Sequence, residues 1–414
     1  MFVEEKQMPA ANDRPTLPAL VSVDAALRAI TEHLAHELAT PQPAAPAWSE
    51  FEWRVARAVA AMHGISGLLA GQLRWRGPEG WAEFLSQQRE HIARRQLRVD
   101  ELLAAIGERF RRYGIPVQAL KGAALHVEGL YQRGQRPMAD LDLLTSPQHL
   151  VRASEILETL GLHESLRTFK HRVFQESVTA TARSFGEHAD NDLKVELHDR
   201  ICEPLPRHLT DISQRVWLHE ALPGLNPYPS HAAFMAHLLL HTAGGMTYRA
   251  VRLIQLYDIA LLARRLTAAD WEQLLQWRPW WAWPPLCLAE RYFGVLGPPA
   301  VAPMLRGCCP PLLRRTCARQ RLSDVSLSRL WLEAFPGIEW AHSVGELVSL
   351  IARRIVPSAE VRAERKFAVT FDPALARDDW GRLSQGRKIL RALGARTPRP
   401  WPLHNVRAAL AEPH

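Results

Sequence analysis

Asp140 and Asp142 stand two residues apart in ADLDLLT (139–145), a stretch in which polar and apolar residues alternate. Successive side chains of a strand point to opposite faces, so the two carboxylates share a face while Leu141 and Leu143 turn to a core. Two neighbouring carboxylates repel each other unless a cation lies between them. Mg²⁺ prefers oxygen ligands and is commonly held by one or two carboxylates together with substrate phosphates. Glu196 lies in a later strand-like run, KVELH, with Val195 and Leu197 toward the core. With the two strands side by side, three carboxylates converge. They then form the donor set of a two-ion clamp for in-line phosphoryl displacement.

Positive charge lies close to these acids. Lys121 and Gly122 begin a helical stretch directly after a short apolar run, and Arg136 follows that stretch. A glycine there lets a phosphate approach backbone N–H groups, and a guanidinium offers a planar fork to phosphate oxygens. Taken singly, each element has a plainer interpretation. D-x-D is commonly a solvated strand face, Lys-Gly a turn, and Glu196 a surface residue. The order distinguishes them: strand, glycine at a helix start, arginine, D-x-D strand, helix, then a strand with one acid.

Other residues point first to structure. His237 and His241 share a helix face, but HLLLH lacks the glutamate of a zinc-protease motif, so packing is expected. Asp258 interrupts the apolar helix LIQLYDIALL and needs a partner, His241 or an arginine. His198 is expected on the face opposite Glu196, making a structural hydrogen bond. Trp277, Trp280, Trp281 and Trp283 are expected to pack against helices and proline-braced turns rather than stack on bases. No P-loop, G-x-G-x-x-G, kinase signature or G-x-S-x-G occurs.

The elements that must position these residues form a mixed order. Helical spacing runs over 23–38, over 51–73 with a break at Gly64, and over Gly80 to Tyr113, where Leu97, Leu102, Leu103, Ile106 and Phe110 recur. Strands are expected at IPVQAL, 139–145, 177–185 and 192–200, with helices at 121–134 and after Ser146. Beyond about residue 208 the pattern is helical again. The expected division is a flexible N-terminus (1–22), a helical region (23–114), an α/β unit (115–205), a helical domain (206–340) and an Arg-rich helical or irregular end (341–414). The fold class is α+β.

Composition sets outer bounds. The chain has 414 residues, a net charge of +8 and 47% hydrophobic residues. That is an ordinary globular balance with a surface suited to anionic partners. The charge is spread out, with no recognisable nucleic-acid module, so a polynucleotide partner is not expected. Five cysteines without a CxxC speak against a disulfide framework or a thiolate zinc site and suit a reducing cytoplasm. The opening MFVEEKQMPAANDRP lacks the form of a signal peptide, and no membrane span is expected.

The stretch LKGAALHVEGLYQRGQRPMADLDLL resembles the signature of the polymerase β-like nucleotidyltransferase superfamily. More narrowly, it is similar to a bacterial group of uncharacterised nucleotidyltransferase family proteins. The matching residues are Leu120–Lys121–Gly122, Tyr131, Arg136–Pro137 and Asp140–Leu141–Asp142, with VELHD supplying Glu196 and His198. AMHGISGLLAGQL, HLLLH and RLIQLYDIALL agree in the flanks, so the similarity covers roughly 50–270. It implies a nucleotidyltransferase core, a small mixed sheet with helices, between helical flanks. It also implies Mg²⁺, with two ions, held by Asp140, Asp142 and Glu196. The nucleoside triphosphate donor would be gripped by Lys121, Gly122 and Arg136, and the acceptor would be a small molecule, peptide or protein. Two positions depart from the pattern. Ala123 stands where Ser or Gly is usual, and Glu196 where many relatives have Asp. The alternative function is a catalytically altered nucleotide-binding or regulatory module, or an enzyme using a nucleotide-sugar donor.

Overall fold

The computed structural model describes residues 17–168, 170–176, 185–206, 209–359, 362, 383–394 and 396–412. Four helices come first: α1 (Leu20–Ala39), α2 (Glu50–His63), α3 (Ser66–Gln72) and α4 (Glu79–Arg112). A reciprocal capping box opens α2, with Ser49 and Glu52 satisfying each other's backbone N–H groups. The helix stops at Gly64, whose φ of 66° is left-handed, which is the break expected in 51–73. Along α4 the buried stripe is Trp81, Phe84, Leu85, Ile92, Val99, Leu103, Ile106 and Phe110. Leu97, expected in that stripe, is exposed.

The central sheet contains β1 (Pro116–Ala119), β2 (Asp140–Leu144), β3 (His163–Arg167), β4 (His171–Gln175) and β5 (Lys194–His198). A small hairpin follows, β6 (Cys202–Pro204) with β7 (Leu209–Asp211), and then β8 (Gly224–Asn226). The six strands of the main sheet run in the order β3-β4-β5-β2-β1-β8. β2 lies parallel to β5 and antiparallel to β1, while β1 pairs in parallel with β8. The sheet therefore extends past residue 205 to a strand contributed from 224–226. Helices α5 (Lys121–Val127) and α6 (Leu150–Glu158) connect its strands.

The sheet has two chemically different faces. Leu225, Val117, Leu143 and Leu197 fall on one face by register. α4 packs against β1 and β8, and Gly107 of α4 sits against the Leu225 side chain. The opposite face carries Asp140, Asp142, Glu196 and His198. Beyond α7 (Ser213–Val216), α8 (His231–Tyr248) is buried on nearly every side, as its lack of a polar face requires. α9 (Leu253–Ala263) packs beside it.

Eight further helices lie between Ala268 and Ala411 among the described residues, the last of them (Pro400–Ala411) against α2. One continuous buried apolar cluster runs from Val23 to Ala409.

Several expectations require correction. The helix expected over 121–134 ends at Val127. Gly129 adopts φ 65°, and Leu130 N–H donates to Leu125 O, closing the helix end with a left-handed residue. The hairpin β3–β4 was not expected, and residues 177–184 of the strand expected at 177–185 lie outside the described residues. In the Trp-rich segment, Trp283 with Pro284 and Pro285 opens a helix. Among its tryptophans, Trp281 and Trp283 are buried, Trp280 meets Trp340 and His342 edge-on, and Trp277 lies under the Arg215 guanidinium.

Candidate active site

Strand register brings the three acids together. Asp142 is paired with Glu196 across the parallel β2–β5 ladder, and Asp140 with Lys194. Neighbouring strands lie about 4.8 Å apart, so these carboxylates share one patch of the sheet. Asp142 is buried, and Asp140 and Glu196 are half-buried. Burial, reinforced by Asp142 and Glu196, pushes Asp140 up to about 6. Burial also works to raise Asp142, but Lys121 and His198 outweigh it and hold that carboxyl well below its usual range. Negative charge is thus balanced at Asp142 and left in excess at Asp140.

Lys121 supplies the balancing charge. Its Nζ lies 2.6 Å from Asp142 Oδ1. Burial works to lower the ammonium, but Asp142, Glu196 and Asp140 together hold it above its ordinary value. Lys121 also sits at φ 43°, a left-handed conformation that costs a lysine about 1–2 kcal/mol. Its backbone N–H donates to the Tyr228 hydroxyl at 3.1 Å, and that hydroxyl lies 2.8 Å from His237 Nδ1. The helix α8 thereby fixes where the lysine begins α5.

Arg136 is positioned from the other side. Its Nε and Nη2 donate to the two Asp258 oxygens at 2.9 and 2.8 Å, and Tyr131 Oη donates to Asp258 Oδ1 at 2.5 Å. Asp258 thus has an arginine partner, one of the two expected. The remaining nitrogen, Nη1, lies over Gly122, where an added Cβ would come within 2.5 Å of it. Gly122 is therefore required by the close approach of the guanidinium.

His198 differs from expectation. His198 is two residues from Glu196, so both point to the same face. Its Nε2–H donates to Asp142 Oδ1 at 3.0 Å and lies 3.6 Å from Glu196 Oε2. The expected opposite orientation is wrong because a strand repeats every two residues. Burial works to lower the His198 imidazole, and its bonds to Asp142 and Glu196 raise it. His171, which sequence reasoning missed, faces His198 across the β4–β5 ladder, with Nδ1 3.8 Å from Glu196 Oε2. His237 and His241 do not share a site. The first meets Tyr228, and the second has Nδ1 3.4 Å from Glu203 Oε1, where Lys170 also pairs.

Residues 49–284 match the model of a family described as an uncharacterised nucleotidyltransferase. The chain belongs to this uncharacterised nucleotidyltransferase family. The match contains all of β1–β8 and every residue of the patch, and membership supports nucleotidyl transfer as the chemistry. No curated protein and no solved structure matches the chain. Among the described residues, no helix is long and apolar enough to cross a membrane.

Proposed function

We propose that the chain is a Mg²⁺-dependent nucleotidyltransferase of the polymerase β-like superfamily, moving a nucleotidyl group from a nucleoside triphosphate to a hydroxyl or phosphate acceptor on a small molecule, peptide or protein. The observation that carries this is the convergence of Asp140, Asp142 and Glu196 on one sheet face, with charge left in excess at Asp140. That donor set fits Mg²⁺, because it is all carboxylate oxygen on two rigid strands. Bound there, two Mg²⁺ would neutralise triphosphate charge and activate the acceptor oxygen. Asp140, Asp142 and Glu196 would hold the ions, Asp140 and Asp142 orienting the triphosphate and Glu196 also standing ready to receive the acceptor proton. Lys121 exchanges its contact with Asp142 for phosphate oxygens, and Arg136 offers Nη1 beside Gly122. The acceptor lies between the unit at 115–205 and the helices that follow, which already reach the patch through Tyr228, His237 and Asp258. The five unpaired cysteines suit the reducing cytoplasm of a bacterium.

A second reading is a nucleotide-binding or regulatory module, or an enzyme taking a nucleotide-sugar. It is favoured by Lys121 and Arg136 both being engaged by internal carboxylates. Turnover assays with each nucleoside triphosphate and with a nucleotide-sugar separate the two. Nucleotide binding without pyrophosphate release, across acceptors of each class, supports the second.

A further inference from the structure

β4 brings to the patch a side chain for which nucleotidyl transfer has no use. His171 Nδ1 is buried and has no hydrogen-bond partner among the described residues. It points at Glu196 Oε2, 3.8 Å away, and His198 Nε2 approaches the same oxygen at 3.6 Å. The three donor atoms all lie within 4.8 Å of one another. Ligands bound to one tetrahedral ion at about 2.1 Å are themselves about 3.4 Å apart, so the two separations to Glu196 Oε2 are within a few tenths of an ångström of a ligand edge. Two imidazoles and one carboxylate form a donor set that suits borderline transition metals, whereas Mg²⁺ prefers oxygen alone.

We propose that His171, Glu196 and His198 form a binding site for one divalent transition-metal ion of the Zn²⁺ class, beside the carboxylate pair. The three residues stand on adjacent antiparallel strands, β4 and β5, so the sheet fixes their relative placement without any ligand. On binding, His198 Nε2 gives its proton to solvent and turns its lone pair to the ion. In the absence of nucleotide, Asp142 keeps Lys121 as its partner. The site goes beyond the nucleotide chemistry but shares Glu196 with it, so an ion held there alters the environment of that carboxylate.

The test is calorimetric titration of the full chain with ZnCl₂ in excess Mg²⁺ and without nucleotide, paired with the visible absorption of Co²⁺ added in its place. Wild type is expected to take one Zn²⁺ and to give an intense tetrahedral Co²⁺ band. His171→Gln, verified as folded by its thermal melt, is expected to bind at least about tenfold more weakly and to lose the band. Equal Zn²⁺ affinity in wild type and folded His171→Gln overturns the inference, as does a wild type that binds none. Zn²⁺ bound by a protein that takes no nucleotide supports this site and removes the nucleotidyl-transfer proposal. Nucleotide binding without Zn²⁺ does the reverse.

Discussion

Lys121 Nζ lies 2.6 Å from Asp142 Oδ1, joining the first residue of α5 to the middle of β2. Lys121→Met therefore leaves Asp142 buried opposite Glu196 with His198 as its remaining partner. Breaking a buried pair by removing one partner costs about 3–5 kcal/mol. Urea unfolding is expected to show that loss, and millimolar Mg²⁺ to restore part of it by binding the folded state. An unchanged midpoint would show that the pair does not balance the patch.

Arg136, Asp258 and Tyr131 form one buried network, so their contributions are not additive. Asp258→Ala strands the guanidinium and is expected to cost about 3–5 kcal/mol. Tyr131→Phe removes one hydrogen bond to a charged group, about 1.5–3 kcal/mol. In the double variant the tyrosine change adds little. A double-mutant cycle by urea unfolding measures this, and strictly additive losses would dissolve the network.

Gly122→Ala places a methyl within 2.5 Å of Arg136 Nη1. Asp258 holds the other edge of that guanidinium, so the arginine cannot simply swing away. Overpacking of this kind costs about 1–3 kcal/mol. Nucleotide affinity is expected to fall with stability, since the displaced Nη1 is the proposed phosphate contact. Thermal melts and calorimetry report the two effects, and wild-type values in both would leave Gly122 without a role.

Protonation gives two opposite trends with pH. Burial, aided by Arg252, lowers His63 from 6.5 to about 3. Its unfolded form takes up a proton below pH 6.5 while the folded form does not. This stabilisation is complete above 6.5 and drains as pH falls toward 3, on the order of 5 kcal/mol in all. Asp140 is raised from 3.8 to about 6, so the folded protein keeps a proton that the unfolded chain releases, and stability falls as pH rises through that window. In metal-free buffer at pH 7, Asp140→Asn is expected to gain about 1–3 kcal/mol, with solvent access reducing the effect. Mg²⁺ needs the ionised carboxylate, so its affinity weakens below about pH 6. A destabilised Asp140→Asn would show that the acids are not in excess.

What could be read from the residues followed periodicity. β1, β2 and β5 alternate or run apolar between turn signals, and α4 keeps a helical stripe over 34 residues, so their types and approximate limits were evident. β3 and β4, HESLR and HRVFQ, are short and mostly polar, and β8 is three residues long. Pairing with neighbours, rather than their own pattern, makes them strands. The carboxylates were legible because D-x-D and V-E-L each declare a face. His198 was equally legible from the two-residue period. His171 was not, because only the β4–β5 register brings it to Glu196. The partner of Asp258 was narrowed to a histidine or an arginine, since a buried acid demands one but sequence does not say which loop delivers it.

The most direct test is calorimetry of the full chain with ATP, GTP, CTP, UTP and a nucleotide-sugar, with and without Mg²⁺, in wild type, Asp140→Ala and Asp142→Ala. The expected result is Mg²⁺-dependent binding of at least one nucleoside triphosphate by wild type and its loss in both variants. Binding that survives both substitutions, or that ignores Mg²⁺, would contradict a carboxylate-held metal site at the centre of this protein.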